Sequence, residues 1–369
     1  MRFVATCLFG LEKFLGEEID ALGYKRLETM DGRVIFEGDE GAIPRANMWL
    51  RTAERVFVLL GRFAAPTFDA LFEGTKALPL EEWIGAEDAF PVTGHSVKSA
   101  LTSIPDCQRI VKKAAVERLK GKYGISWFQE TGVTYPLEFF ILKDECFLML
   151  DTSGTGLHKR GYRPAAGAAP LRETLAAAMV KIARPRDNVL LCDPMCGSGT
   201  IPIEAAMIMT NTAPGIRRSF LAEDFARIDT ALWQAAREEA RDLRRVSDFR
   251  AQASDIDPKM AEMAHANASR AGVDGNISFK CADALKLTTE GARGSIVCNP
   301  PYGERLMTPR QTEQLYRDMG RHFATLDRWQ IYILTPHEDF ERLYGARADK
   351  KRRLYNGMIR CNYYQFFKR

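Results

Sequence analysis

Between residues 171 and 298 short apolar runs alternate with helical periods, and this alternation restricts the fold more than any other feature of the chain. The pattern predicts a helix at 171–182, a strand at 188–192, a Gly-rich turn and helix, a strand at 249–254, a helix, and strands at 277–280 and 295–298. Apolar strands separated by helices imply a parallel sheet covered on both faces. Ligands of such sheets bind beyond the carboxyl ends of the strands. The stretch 208–247 is longer than a strand-to-helix connection needs, and its helical run at 232–243 reads as an inserted helix. Asn356-Gly357 between the aromatic-rich segments 353–358 and 359–367 predicts a hairpin with a type I′ turn.

The first half has a different texture. A strand at 3–9 leads into a helix at 11–22 that sets Leu11, Phe14, Leu15, Ile19 and Leu22 on one face. Strands at 24–29 and 34–36 flank the Asp31-Gly32 turn, and a helix at 42–50 and a strand at 55–63 complete a β-α-β-β-α-β order. That order is ferredoxin-like. Beyond Pro66 a helix at 68–76, a strand at 90–98, a basic helix at 106–122 and a strand pair within 137–150 form a second small α/β unit. Pro164-Ala-Ala-Gly-Ala-Ala-Pro170 has neither period nor charge and reads as a linker.

Composition narrows the function classes. No apolar run approaches the roughly 18 residues that span a bilayer, and the apolar start is followed by charged 12–18 without a cleavage site, so it reads as a strand rather than a signal peptide. Eight cysteines in 369 residues are too sparse for a disulfide scaffold, and Cys192 and Cys196 lack C-x-x-C spacing, which points to free thiols in a reducing cytoplasm. The histidines 95, 158, 265, 322 and 337 show no ligand spacing, so no metal is expected. The net charge of +4 is unevenly spread. Residues 1–94 hold 10 Lys and Arg against 16 Asp and Glu, 95–163 hold 11 against 7, and 164–369 hold 31 against 25. Such blocks suggest a polyanionic partner met by the middle and the later part of the chain.

The chemistry lies at the predicted strand ends. Val189-Leu-Leu-Cys-Asp-Pro-Met-Cys-Gly-Ser-Gly-Thr200 places Asp193 where a buried strand stops, followed by the glycines 197 and 199 that let backbone approach a ligand. Pro202 stands where a nicotinamide fingerprint needs a third glycine, which disfavours a dehydrogenase. In Ala253-Ser-Asp-Ile-Asp-Pro258, Asp257 before Pro258 suits a helix N-cap, leaving Asp255 to accept ribose hydroxyls. Asp283 ends the next strand, where it can accept from an adenine amino group. Asn299-Pro-Pro-Tyr302 decides the reaction type. A planar amine on a base is a poor nucleophile because its lone pair is delocalised. The Asn299 side-chain carbonyl and the Pro300 backbone carbonyl can both accept from it and aim the lone pair, while Tyr302 offers a face for stacking. Carbon-5 methylation would need a cysteine nucleophile, and Cys298 lies inside the strand.

With Leu157-His-Lys-Arg-Gly-Tyr-Arg163, Ala169-Pro-Leu-Arg-Glu-Thr-Leu-Ala176, Ala213-Pro-Gly215 and Asn299-Pro-Pro-Tyr-Gly-Glu-Arg-Leu306, these motifs make the chain resemble the THUMP-domain methyltransferases, in particular the bacterial family that methylates guanine N2 in large-subunit ribosomal RNA. The resemblance implies a ferredoxin-like domain over 1–64, a THUMP RNA-binding domain over 65–163 and a Rossmann-like class I methyltransferase over 164–369. It further implies S-adenosylmethionine as cofactor, held by Asp193, Gly197, Gly199, Thr200, Asp255, Ile256, Asp283 and Ala284, with Thr174 near its methionine end. Asn299, Pro300 and Tyr302 then become the catalytic set, and RNA, with 23S rRNA expected, becomes the partner. Lys98, Arg109, Lys112 and Lys113 fit phosphate contacts. Some relatives carry a second methyltransferase behind the first, which this sequence does not include. A tRNA guanine-N2 enzyme, an adenine-N6 enzyme on DNA or RNA, and a non-catalytic RNA-binding or assembly factor remain alternatives. The intact Asp193, Gly197, Gly199 and Asn299 argue against the last.

Overall fold

The computed structural model describes residues 1–125, 127–164, 171–289, 292–302 and 307–367. The expected linker therefore falls almost wholly outside the described residues, as does 303–306 at the end of the Asn-Pro-Pro-Tyr motif.

The N-terminal half is one seven-stranded sheet rather than two separate units. Its elements are β1 (Arg2–Cys7), α1 (Glu12–Ala21), β2 (Lys25–Met30), β3 (Arg33–Glu37), α2 (Ala42–Trp49), β4 (Ala53–Ala64), α3 (Phe68–Lys76), β5 (Val92–Val97), α4 (Ile104–Tyr123), β6 (Leu137–Leu142) and β7 (Glu145–Asp151). The strand order is β2-β3-β1-β4-β7-β6-β5. The first four strands have the ferredoxin-like arrangement. Twelve-residue β4 joins the halves, because Ala53 to Val58 pairs with β1 while Phe57 to Ala64 pairs antiparallel with β7. A composition break at Pro66 marks a change of partner along one strand, not a gap in the sheet. Helix α4 is bounded as its sequence requires, with Pro105 in the first turn and Gly124 closing it at φ +66°.

The second half contains α5 (Glu173–Ala183), β8 (Leu190–Asp193), α6 (Thr200–Met209), α7 (Thr230–Asp242), β9 (Ala251–Asp255), α8 (Pro258–Ala271), β10 (Ile277–Cys281), β11 (Gly294–Cys298), α9 (Pro309–Ala324), β12 (Trp329–Thr335), α10 (Phe340–Tyr344), β13 (Lys350–Asn356) and β14 (Ile359–Phe366). The order β10-β9-β8-β11-β12-β14-β13 is parallel through β12, with β14 and β13 antiparallel at the edge. The order reverses between β8 and β11, which creates the crevice where doubly wound sheets hold ligands. The hairpin turn departs from the expected type. Asn356 pairs with Ile359, so the loop is Gly357-Met358, and Gly357 at φ +63° is its left-handed residue, as in a type II′ turn.

Helix α7 docks the inserted stretch on the N-terminal half, where Arg45 grips Glu239 with two bonds of 2.8 Å and Arg227 reaches Glu40 and Glu82. A buried joint lies between the halves. Arg160 and Glu204, with side chains 1% and 0% exposed, face each other at 3.3 Å. Arg160 also donates to the carbonyls of Leu157 and Arg51, and Tyr162 donates to Glu204. Glu54 at the start of β4 accepts from Arg172 and Thr174 and lies 3.1 Å from His158. Burial pushes the Glu54 carboxyl up, but these hydrogen bonds and charges outweigh it and hold it below its ordinary value.

Candidate functional site

Four neighbouring parallel strands deliver the predicted residues to one edge. β8 ends at Asp193 and β9 at Asp255, Asp283 stands two residues beyond β10, and Asn299 follows β11 directly. The Gly-rich turn crosses in front of them. Gly197 donates to Asp255 at 2.9 Å, and Cys196 donates to the Ser254 carbonyl, so the turn is pinned to the neighbouring strand. Gly197 adopts φ +52° and a Cβ added there would meet nothing within 4 Å, which leaves open space against the turn. Gly199 is required for a different reason. At φ +80° its added Cβ would lie 2.9 Å from the Ala264 Cβ, so only glycine lets α6 and α8 approach this closely.

The acids divide their roles. Asp257 accepts from Lys259 at 2.9 Å and caps α8 ahead of Pro258. Asp255 takes one backbone donor on each oxygen, from Gly197 and Asp257, and each oxygen keeps acceptor capacity for a further donor. Asp193 is almost fully buried, with the Met195 amide at 3.3 Å. Burial first, and the charge of Asp255 second, push its carboxyl up to about 8. Asp283 caps a short turn by accepting from Leu285, and Ala284 is buried beside it. Ile256, 74% exposed at the end of β9, is free to cover a ring.

The Asn-Pro-Pro-Tyr loop carries the most informative atom. Asn299 Oδ1 is buried and has no hydrogen-bond partner among the described residues. An orphaned buried acceptor is costly unless a donor arrives from outside. Tyr302 is fixed from the terminal hairpin, because Asn356 Nδ2 donates to its hydroxyl at 2.7 Å. Burial pushes the Tyr302 phenol up to about 12 while the Asn356 bond opposes it, so the ring stays neutral. The Cys298 thiol is buried and its pKa is raised far above the ordinary value, which makes it unfit as a nucleophile.

Several residues of the site carry no obvious sequence signal. Arg163, in the Leu-His-Lys-Arg-Gly-Tyr-Arg run, pairs with Glu173 at 2.9 Å and donates to Thr200 Oγ1 at 3.0 Å, tying α5 to the Gly-rich turn. Asn267 on α8 donates to the Ser198 carbonyl. Asn356 was legible only as a turn residue.

Thr174 and Lys112 both have partners within the protein. Thr174 is fully buried and its hydroxyl donates to Glu54 at 2.6 Å, so it serves the joint and offers no free donor at the cofactor edge. Lys112 is engaged within its own unit, bonded to Glu130 and the Phe90 carbonyl and lying 3.4 Å over the Phe90 ring. That pairing removes it as a free phosphate ligand. Lys98, just beyond β5, and Arg109 and Lys113 on α4 are exposed, Arg109 beside Asp106 and Lys113 5.8 Å over the Phe72 ring, all in the N-terminal half and not in the half that carries the strand-end cluster. Among the described residues no cluster of three or more His, Cys, Asp or Glu could hold a metal ion, and no helix is long and apolar enough to cross a membrane.

Comparison with known proteins now bears on this geometry. Residues 160–365 match the model of the UPF0020 family, described as RMKL-like, methyltransferase domain. The chain belongs to that family. Residues 2–57 match the RlmL ferredoxin-like domain and 65–151 the THUMP domain. The Bacillus subtilis (strain 168) protein named "Putative RNA methyltransferase YpsC" is 48% identical over 99% of this chain and 95% of its own length. Ribosomal RNA large subunit methyltransferase K/L of Desulfotalea psychrophila (strain LSv54 / DSM 12343) is 33% identical over 97% of this chain, which spans about half, 51%, of that enzyme. Among solved structures, one described as a predicted N6-adenine-specific DNA methylase from Listeria monocytogenes str. 4b F2365 is 47% identical, with a TM-score of 0.93 and coverage of 100% and 96% of the two chains. SMU.472, described as "a putative methyltransferase complexed with SAH", is 38% identical, with a TM-score of 0.91 and coverage of 100% and 98%.

Proposed function

We propose that the protein transfers a methyl group to the exocyclic N2 of guanine in RNA, with 23S rRNA as the substrate. S-adenosylmethionine is the cofactor, and when bound it supplies an electrophilic methyl on a sulfonium. Asn299 Oδ1, buried and unpartnered among the described residues at the end of the strand next to the one that leads into the Gly-rich turn, carries the reading. Asp193, Asp255 and the turn at Gly197 and Gly199 hold the adenosyl end, with Asp255 accepting the ribose hydroxyls and Asp283 the adenine amine. Asn299 Oδ1 and the Pro300 carbonyl accept from the substrate amine and aim its lone pair, and Tyr302, held by Asn356, stacks on the base. Holding the amine in an orientation ready for attack would supply most of the acceleration. No covalent intermediate on the protein is needed. The THUMP unit and the K/L relative's name support RNA as the partner.

The same acceptors suit the N6 amine of adenine, the base in the Listeria protein's description. Mass spectrometry of nucleosides from each RNA class and from DNA of a deletion strain separates these readings. Loss of N2-methylguanosine from 23S rRNA supports the proposal, whereas loss of N6-methyladenosine, or of the guanine mark from tRNA alone, replaces it.

Two predictions concern the acids. Asp255→Ala weakens S-adenosylmethionine binding at least tenfold more than Asp257→Ala, which instead lowers stability by about 1 kcal/mol as a lost cap. Calorimetric titration of both variants checks this ranking, and the reverse order would exchange their roles. Asp193→Asn raises the melting temperature of the cofactor-free protein by a few degrees, and the gain grows with pH. A carboxyl moved up from 3.8 to about 8 on folding favours the folded state while protonated, and that contribution is lost as pH rises through this window. Asparagine carries no charge to bury, so melting curves at pH 5 and pH 8 should diverge between variant and wild type. Parallel curves would mean Asp193 stays solvated.

A further inference from the structure

At the opposite end of the second sheet, by the amino ends of β9 and β10, two adjoining clefts of about 350 and 490 Å³ share Arg241 and Arg244 as walls. Arg217 lines the first cleft, and Arg245 and Arg250 line the second. All five side chains belong to exposed residues. Of the other arginines in the inserted stretch, Arg227 pairs with Glu40 and Glu82 and Arg237 with Glu223, while Arg218 donates to the main-chain carbonyls of Gly156, Lys159 and Thr155. These five form no ion pair among the described residues, although Asp242 and Asp248 lie in the same stretch. Their hydrogen bonds are to main-chain carbonyls, Arg244 to Gly272, Arg245 to Met209 and Arg250 to Phe249. Two of them converge on one point. A Cβ added at Gly272 would lie 2.6 Å from Arg217 Nη2 and 3.7 Å from Arg244 Nη2. Like charges held together without a carboxylate repel, and an anion seated between them removes the repulsion.

We propose that these clefts form a second RNA contact, in which Arg217, Arg241, Arg244, Arg245 and Arg250 hold consecutive phosphates of the RNA backbone. The proposal rests on the reading of the protein as an RNA methyltransferase. Five guanidinium groups along two joined clefts suit a chain of phosphates better than one ion, and arginine's planar fork suits phosphate oxygens. Strands of five residues, about 17 Å, separate the clefts from the catalytic edge, so one folded RNA can touch both.

The test measures affinity for 23S rRNA fragments at several salt concentrations, for the wild type and for the Arg241→Ala/Arg244→Ala double variant. Binding should weaken about tenfold near 0.1 M salt, and the salt dependence should flatten by about two contacts' worth of counterion release. Affinity for S-adenosylmethionine stays unchanged and certifies the fold. Arg250→Ala as a single variant, confined to the second cleft, should remove about one contact's worth. Equal affinity and slope in wild type and double variant overturn the proposal. So does stabilisation of the wild type alone by millimolar inorganic phosphate with RNA binding unaffected, which would make this a small-anion site. A wild type that binds no RNA at all overturns the RNA reading itself, and the clefts' role with it.

Discussion

Asn299→Ala should leave S-adenosylmethionine affinity within a few-fold of wild type while methyl transfer falls on the order of 100-fold or more. The separation follows from position. Asn299 lies beyond the end of β11, whereas the proposed ribose and adenine acceptors stand at the ends of β9 and β10. Alanine removes an acceptor that no described residue of the protein uses, so the buried orphan disappears, together with the Asn299 side-chain hydrogen bond to Tyr302. A radiolabelled methyl-transfer assay together with cofactor titration reads both quantities, and retained turnover would remove Asn299 from the catalytic set.

Arg160→Ala should be the most destabilising single change in the joint between the halves, by about 3–5 kcal/mol, because it strands the fully buried Glu204 carboxylate. Two main-chain carbonyls, of Leu157 and Arg51, lose their donor in the same step. Replacing both partners, Arg160→Met with Glu204→Leu, should recover most of the loss, since no charge is left buried. Urea unfolding of Arg160→Met, Glu204→Leu and their double variant gives the coupling, with Arg160→Ala measured beside them. If Glu204→Leu alone costs nothing, the pair contributes little to stability.

Much of the candidate site was legible in the sequence because strand ends, glycines and prolines act locally. Asp193, Gly199, Asp257 and Asn299 each announce a strand terminus, a close approach, a cap or a loop within a few residues. What the sequence hid depends on partners far along the chain. Asn356 reads as a turn residue until the hairpin brings it 54 positions back to Tyr302. Thr174 reads as a helix start beside a cofactor until Glu54, 120 positions away, takes its hydroxyl. Lys112 reads as a surface cation until Glu130 and the Phe90 ring close over it. The strand β12 and the helices α9 and α10 extend the predicted alternation, and β14 enters the sheet between β12 and β13, an order that local pattern does not encode.

The shared strand β4 also bears on how such chains can be taken apart. Sequence families divide the first half at about residue 60, yet Phe57 to Ala64 carries the ladder that completes β7. A fragment beginning after Ala64 would present β7 as a naked edge, with a row of unpaired amides and carbonyls ready to recruit a strand from another molecule. The evolutionary module and the physical module therefore differ by one strand. A THUMP fragment that keeps residues 53–64 pairs β7 and leaves only the Ala53 to Val58 edge of β4 open, so it should self-associate less than one trimmed at the family boundary.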